Sequence, residues 1–383
     1  MTLRLMQAVA LLMVAACGSA PSSTAAQTSG ARPFTVTEVA SFSTPWAMDF
    51  LPGSGVRLTN AALVTEKEGK LWLVNANTGA RQAVGGVPRV KVAGQGGLGD
   101  VVAHAGFAGN HRIYLSYAEP GPNGTSGAAI GYGRLILGQG PPRIDGFKVI
   151  WRQAPKVSGD GHFAHRIAFA PDGTMFVSSG DRQKMEPAQQ FDGNLGKVLQ
   201  LTAEGQPVPA GPFARRGGVA VQFHTMGNRN ILGLAFAPDG RLWATEMGPQ
   251  GGDELNLIER GRNYGWPVVS NGSHYGGGAI PDHPTRPEFA APKLWWNPSI
   301  APAGMIVYSG DLFPDWKGDA IFGALVGEAL IRADIDGANA RKADHWPMGA
   351  RIREVQQGPR GEIYLLEDGG RLLRLEPARQ KRR

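Results

Sequence analysis

Residues 247–256, MGPQGGDELN, set a proline, three glycines and the adjacent carboxylates Asp253 and Glu254 into ten positions. Glycines in this order do not form a phosphate loop, which needs Lys and then Ser or Thr after its last glycine. Carboxylates beside the backbone carbonyls of a Gly-Pro turn suit a hard cation such as calcium. Taken alone, the stretch also reads as a polar turn between strands. Three further stretches are unusually polar: GQGGLGD from Gly94, SGDGHFAHR from Ser158 and GNRN from Gly227. The second carries His162, a residue type that titrates near neutral pH and serves as a general base, although a lone histidine is more often structural.

These stretches are far apart in the chain, so an architecture must gather them. The 383 residues include 55 glycines and 28 prolines and only 19% are charged, which suits many short strands joined by turns. Residues 169–177, FAPDGTMFV, and 236–244, FAPDGRLWA, are two copies of one unit. Each copy runs apolar strand, Pro/Gly/Asp turn, apolar strand, and often ends on an acidic or small polar residue. Asp-Gly at the turn tolerates the positive φ of a tight hairpin. Weaker copies cover Met48, Val101, Met305 and Val355, so that with Ile167 and Leu234 the unit recurs six times, at steps of 50–71 residues. A four-stranded propeller blade takes about 40–50 residues, and the excess falls to loops. The expectation is an all-β chain, a six-bladed β-propeller over residues 34–377 with long loops on one face. An array of β-sandwiches is the alternative. Propeller loops converge on the axis, where the four polar stretches would meet.

The first residues, MTLRLMQAVALLMVAACGSA, read as a charged start and a short apolar run ending in Val-Ala-Ala-Cys. That ending resembles a bacterial lipoprotein cleavage box, and Cys17 is the only cysteine. Residues 1–16 are thus expected to be a signal peptide, Cys17 the lipidated residue and 17–33 a flexible tether, which places the protein on the periplasm-facing bacterial envelope. Lysines and arginines give a formal net charge of +7 but are scattered apart from the tail at 378–383. Basic patches interleaved with aromatics are missing, which argues against nucleic acid and leaves anionic small ligands or an acidic redox partner.

The motifs GQGGLGD, GHF, GNRN, GPQGGDELN, NYGWP, PSIAPAGM and YSGDLFPDWKGD, in this order, resemble the soluble aldose sugar dehydrogenases that depend on pyrroloquinoline quinone (PQQ), relatives of soluble quinoprotein glucose dehydrogenase. The resemblance spans 44–375, and that family's fold is a six-bladed propeller. It implies calcium- and PQQ-dependent oxidation of an aldose at C1 to a lactone, with electrons passing to a quinone or cytochrome. By resemblance His162 is the general base. Gln95 lines the cofactor and Arg229 and Asn230 contact the quinone, where a fixed guanidinium stabilises charge growing on oxygen. Arg351 and Arg353 hold cofactor carboxylates, and Tyr275 is a further cofactor contact. Gly248 and Pro249 supply carbonyls to the catalytic calcium, while Glu254 and Tyr264 belong to a second calcium site. Tyrosine is a rare side-chain ligand, so the Tyr264 carbonyl is the expected donor. The chain departs from the family pattern at Asn228, at Ala164-His165 and at Val326, where some members place a lysine against the cofactor. Two other readings are a calcium-dependent propeller lactonase or other hydrolase, and a non-catalytic, lipid-anchored sugar-binding propeller.

Overall fold

The computed structural model describes residues 32–53 and 60–378. Cys17, its leader, the tether through residue 31 and the tail from 379 lie outside the described residues. Six four-stranded antiparallel sheets stand as blades around an axis. Their innermost strands are Pro45–Phe50, Leu98–Ala103, Ala164–Phe169, Ile231–Phe236, Pro302–Val307 and Ile352–Gln357. Each of the six repeats found in the sequence contributes one of these strands. The turns behave as Asp-Gly demands: Gly173 and Gly240 hold φ of 84° and 85°.

The core is divided rather than central. Six buried apolar clusters lie one between each pair of neighbouring blades. On the strand Ala61–Glu66, Leu63 faces the second blade while Ala62 and Val64 face the sixth. On Ile363–Glu367, Ile363 and Leu365 face the fifth blade while Tyr364 and Leu366 face the first. Strands covered on both faces need apolar residues at consecutive positions, which is why the repeats read as apolar runs and not as alternating patterns.

The small polar residue near the end of a repeat ties one blade to the next. Thr65 Oγ1 donates to the Gly99 carbonyl at 2.6 Å, Ser178 Oγ to Ile231 at 3.2 Å and Thr245 Oγ1 to Ala303 at 2.8 Å. The ring is closed by the first and last of the described strands. Phe34–Ser41 forms the outermost strand of the sixth blade and pairs antiparallel with Arg371–Pro377. One long insertion, residues 259–293, leaves the fourth blade at the end of the ring away from the polar loops. It climbs parallel to Phe223–Met226, bridging Met226 to Asn263, and so delivers Trp266 and Tyr275 to the loop face.

Candidate active site

The polar stretches meet where the inner strands begin. His162, just before Ala164–Phe169, is buried and has φ of 48°. Gln95 arrives from the connection between the first two blades; its Oε1 accepts the His162 amide at 2.8 Å, and its own amide donates to the Asp160 carbonyl at 2.7 Å. His162 Nδ1 lies 2.7 Å from Asp181 Oδ1. Trp266 Nε1 donates to Asp181 Oδ2 at 2.8 Å, and the Gln183 amide to Oδ1 at 2.8 Å. With the Nδ1 proton turned to Asp181, Nε2 keeps the free lone pair. Burial pushes the His162 pKa below its ordinary value despite the opposing Asp181 bond, and the Arg229 charge lowers it further. Burial works to raise Asp181, but bonds from His162, Gln183 and Trp266 hold it below the usual carboxylate range.

Arg229 shares a pocket of about 130 Å³ with His162, Asp181, Trp266 and Tyr275. Its Nη1 donates to the Met247 carbonyl at 3.0 Å and its Nη2 to the Tyr275 hydroxyl at 3.4 Å. The guanidinium carbon stands 5.1 Å from the Trp266 ring centre, within cation–π range. Tyr275 itself is 72% exposed, so it covers Arg229 from the solvent side. On the Arg229-Asn230 pair itself, Arg229 Nε and Asn230 Oδ1 are buried and have no partner among the described residues. Buried polar atoms left unpaired are costly, and here they stand ready for a polar ligand.

A second cavity, about 230 Å³, opens at the axis and is lined by Gln95, Asn230, Lys67, Arg351 and Arg353 among others. Arg351 immediately precedes Ile352–Gln357 and Arg353 is its second residue; a β-bulge between Ile352 and Glu354 interrupts the alternation there, and the two side chains converge on one carboxylate, Asp368. Their Nε atoms lie 2.9 and 2.7 Å from Asp368, one carboxylate bridging two guanidiniums. Both arginines therefore present charge to the cavity from a fixed position.

Residues expected at two calcium sites, Gly248 and Pro249 at one and Glu254 and Tyr264 at the other, line one crevice of about 10 Å³, room for a single water-sized occupant, so the structure offers one cation position where the sequence predicts two. Among the described residues nothing donates to the Gly248 or Pro249 carbonyl. The Tyr264 phenol points elsewhere, donating to the Leu257 carbonyl and accepting the Glu259 amide at 2.9 Å, so only its main chain serves the crevice. Glu246 also lines it and faces Glu254 across paired strands. Asn256 Nδ2 donates to both, at 3.3 and 2.9 Å. Burial, and then the neighbouring Glu254 charge, push the Glu246 carboxyl up to about 8. Two opposed carboxylates and free carbonyls make a donor set for a hard cation.

Sequence reasoning missed Asp181, Glu246, Trp266 and Asp368. A partial signal existed for two of them. Glu246 ends the repeat strand LWATE, and Asp181 follows FVSSG, positions where the repeats recurrently close on acidic or small polar residues. Of the departures, Val326 is 61% exposed and its neighbour Leu325 lines the axial cavity instead. His165 is fully buried, bonded through Nδ1 to Ser116 at 2.8 Å and stacked on Trp46; burial takes its pKa down to about 3, so it is neutral.

A glucose/sorbosone dehydrogenase family profile matches residues 42–374. Aldose sugar dehydrogenase YliI of Escherichia coli (strain K12) is 36% identical over 342 residues, 87% of this chain and 90% of the relative. The soluble aldose sugar dehydrogenase of Escherichia coli, solved in the apo form, superimposes with TM-score 0.83 at 35% identity and covers 90% of this chain and 100% of its own. The aldose sugar dehydrogenase of Streptomyces coelicolor, solved in its PQQ-bound form, gives TM-score 0.70 at 26% identity over 92% and 99% of the two chains.

Proposed function

The chain belongs to the glucose/sorbosone dehydrogenase family and is an oxidoreductase of the aldose sugar dehydrogenase type, and from that premise we propose that it oxidises the C1 hydroxyl of aldoses to the lactone, using PQQ and calcium at the loop end of the axis. The observation that carries this reading is the His162–Asp181 pair beside Arg229 in one pocket, with Arg229 Nε left unpartnered. Support for the cofactor comes from the PQQ-bound Streptomyces coelicolor relative and from the cationic lining of the axial cavity. A hydrolase would make no use of those paired arginines.

Arg351, Arg353, Gln95 and Asn230 would hold the cofactor, and Gly248, Pro249, Glu254 and the Tyr264 carbonyl, with Glu246, would hold calcium. When bound, PQQ supplies a quinone carbon that accepts hydride from C1. His162 Nε2 takes the hydroxyl proton, and Asp181 keeps the imidazole in the tautomer that can accept it and stabilises the cation that results. Arg229, fixed by Met247 and Tyr275, offers preorganised positive charge where an oxygen gains electron density. Through Cys17 the chain would be lipid-anchored at the envelope, with a membrane quinone or a cytochrome taking the electrons. Cys17→Ser should then move the protein from the membrane fraction to the soluble one.

The test of the reaction is spectroscopic. Apo-protein given PQQ and calcium should acquire quinone absorbance that an aldose bleaches, and His162→Ala should bind the quinone yet leave it unbleached. Failure of the wild type to acquire that absorbance, or bleaching at normal rate in His162→Ala, would overturn the reading.

A further inference from the structure

The axial cavity has an imbalance of charge. Its lining includes three cations, Lys67, Arg351 and Arg353, and no carboxylate. The two arginines share Asp368 behind them. Lys67 shares nothing: among the described residues no carboxylate lies within ion-pair distance of it, and its Nζ has one bond, 2.9 Å to the Gly94 carbonyl on the cavity wall. Lys67 is half-buried along its length, and its ammonium, reached by solvent and without a counter-ion, borders a space that two guanidiniums already line.

Its place is fixed by the backbone. Lys67 lies in the turn between Ala61–Glu66 and Lys70–Asn75, its amide donating to Thr44 and its carbonyl accepting Leu98, both at 3.0 Å. Gly97, at φ 138°, packs so closely that a Cβ there would sit 2.3 Å from the Lys67 carbonyl oxygen. Glycine at that position in GQGGLGD is thus what lets the turn bearing Lys67 press against the connection bearing Gln95.

We propose that Lys67 is a cofactor-anchoring residue of this chain, a third cation that meets a carboxylate of PQQ opposite the Arg351–Arg353 pair. The inference rests on the cofactor reading above. PQQ is a tricarboxylate, and the set of three cations matches it in number while Asp368 offsets only one of them. Ammonium-to-carboxylate contacts are charge-assisted and lose strength with salt.

The experiment is an equilibrium titration of apo-protein with PQQ at saturating calcium, followed by intrinsic fluorescence, at two ionic strengths. Lys67→Gln keeps a donor for the Gly94 carbonyl and loses only the charge. It should raise Kd about ten- to a hundredfold at low salt and flatten the salt dependence, while Lys67→Arg stays near wild type. Unchanged melting temperature in both variants separates anchoring from folding. A Kd for Lys67→Gln within about twofold of wild type, or equal losses in Lys67→Gln and Lys67→Arg, overturns the inference and leaves the cofactor reading intact. No PQQ binding by the wild type overturns both.

Discussion

His162 carries three constraints at once: a left-handed backbone, an amide held by Gln95 and an imidazole held by Asp181. Its pKa lies below the ordinary 6.5 because burial disfavours the charged ring. The base works only when neutral, so kcat/KM should stay flat as pH falls to 6.5 and decline only below it. A pH–rate profile checks this; an acidic limb centred above 6.5 contradicts the assignment. Asp181→Asn removes the influence that raises the His162 pKa and confronts Nδ1–H with a group that is half donor. The limb should move to still lower pH and the plateau should drop. His162→Ala should lower kcat by roughly 10²–10⁴, the usual worth of positioned acid–base catalysis, with PQQ affinity within a few-fold of wild type. Arg351→Ala should do the reverse: PQQ affinity falls first and saturating cofactor restores much of the rate. Equal damage to both properties in both variants would mean that each merely unfolds the protein.

At the scale of the element, the pairing of Leu242–Glu246 with Asp253–Ile258 sets Glu246 opposite Glu254. In calcium-free protein Glu246 titrates near 8 instead of the ordinary 4.5. The fold therefore binds this proton more tightly than the unfolded chain does, and the stability it lends is lost as pH rises from 4.5 toward 8. Calcium takes the ionised form, so the rise in Tm on adding calcium should grow with pH across that window and be blunted in Glu246→Gln. Melting curves with calcium and with chelator at several pH values decide it; a calcium effect independent of pH speaks against Glu246 as part of the crevice. These two strands also mark what was legible. The inner strands and their turns could be read because both depend on neighbours in sequence: apolar runs covered on two faces, and Asp-Gly where φ must be positive. Strand alternation predicts Arg351 and Arg353 on one face, and they do converge on Asp368, but across a β-bulge between Ile352 and Glu354 that alternation does not anticipate. The Trp266–Asp181 bond could not, since it joins residues 85 apart through an insertion with no repeat. Nor could the opposition of Glu246 and Glu254 across a hairpin whose loop, MGPQGG, has no standard length. Such contacts follow from the ring, and no local pattern announces them.

Taken as a whole, the molecule has six small cores in place of one large one, and its stability depends on each interface being filled. Phe34, on the closing strand, is buried against Trp316 and Trp346, ring centres 6.2 and 5.3 Å away in edge-on geometry. Phe34→Ala should cost about 3–5 kcal/mol, the usual range for a buried aromatic, and lower the denaturant midpoint without changing PQQ affinity under native conditions. An unchanged midpoint would show that the sixth blade does not need its outer strand.

That strand has a consequence for biogenesis. Residues 34–41 are made well before their partners, 371–377, so at a synthesis rate of 5–20 residues per second the two edges are separated by roughly 20–70 s of translation. Until residues 371–377 are made, any blade already formed stands beside an open edge, the kind that recruits other strands. No truncated product can seal itself. The fold therefore carries its own check: only a chain translated past residue 377 can bury the strand with which its first described blade edge began.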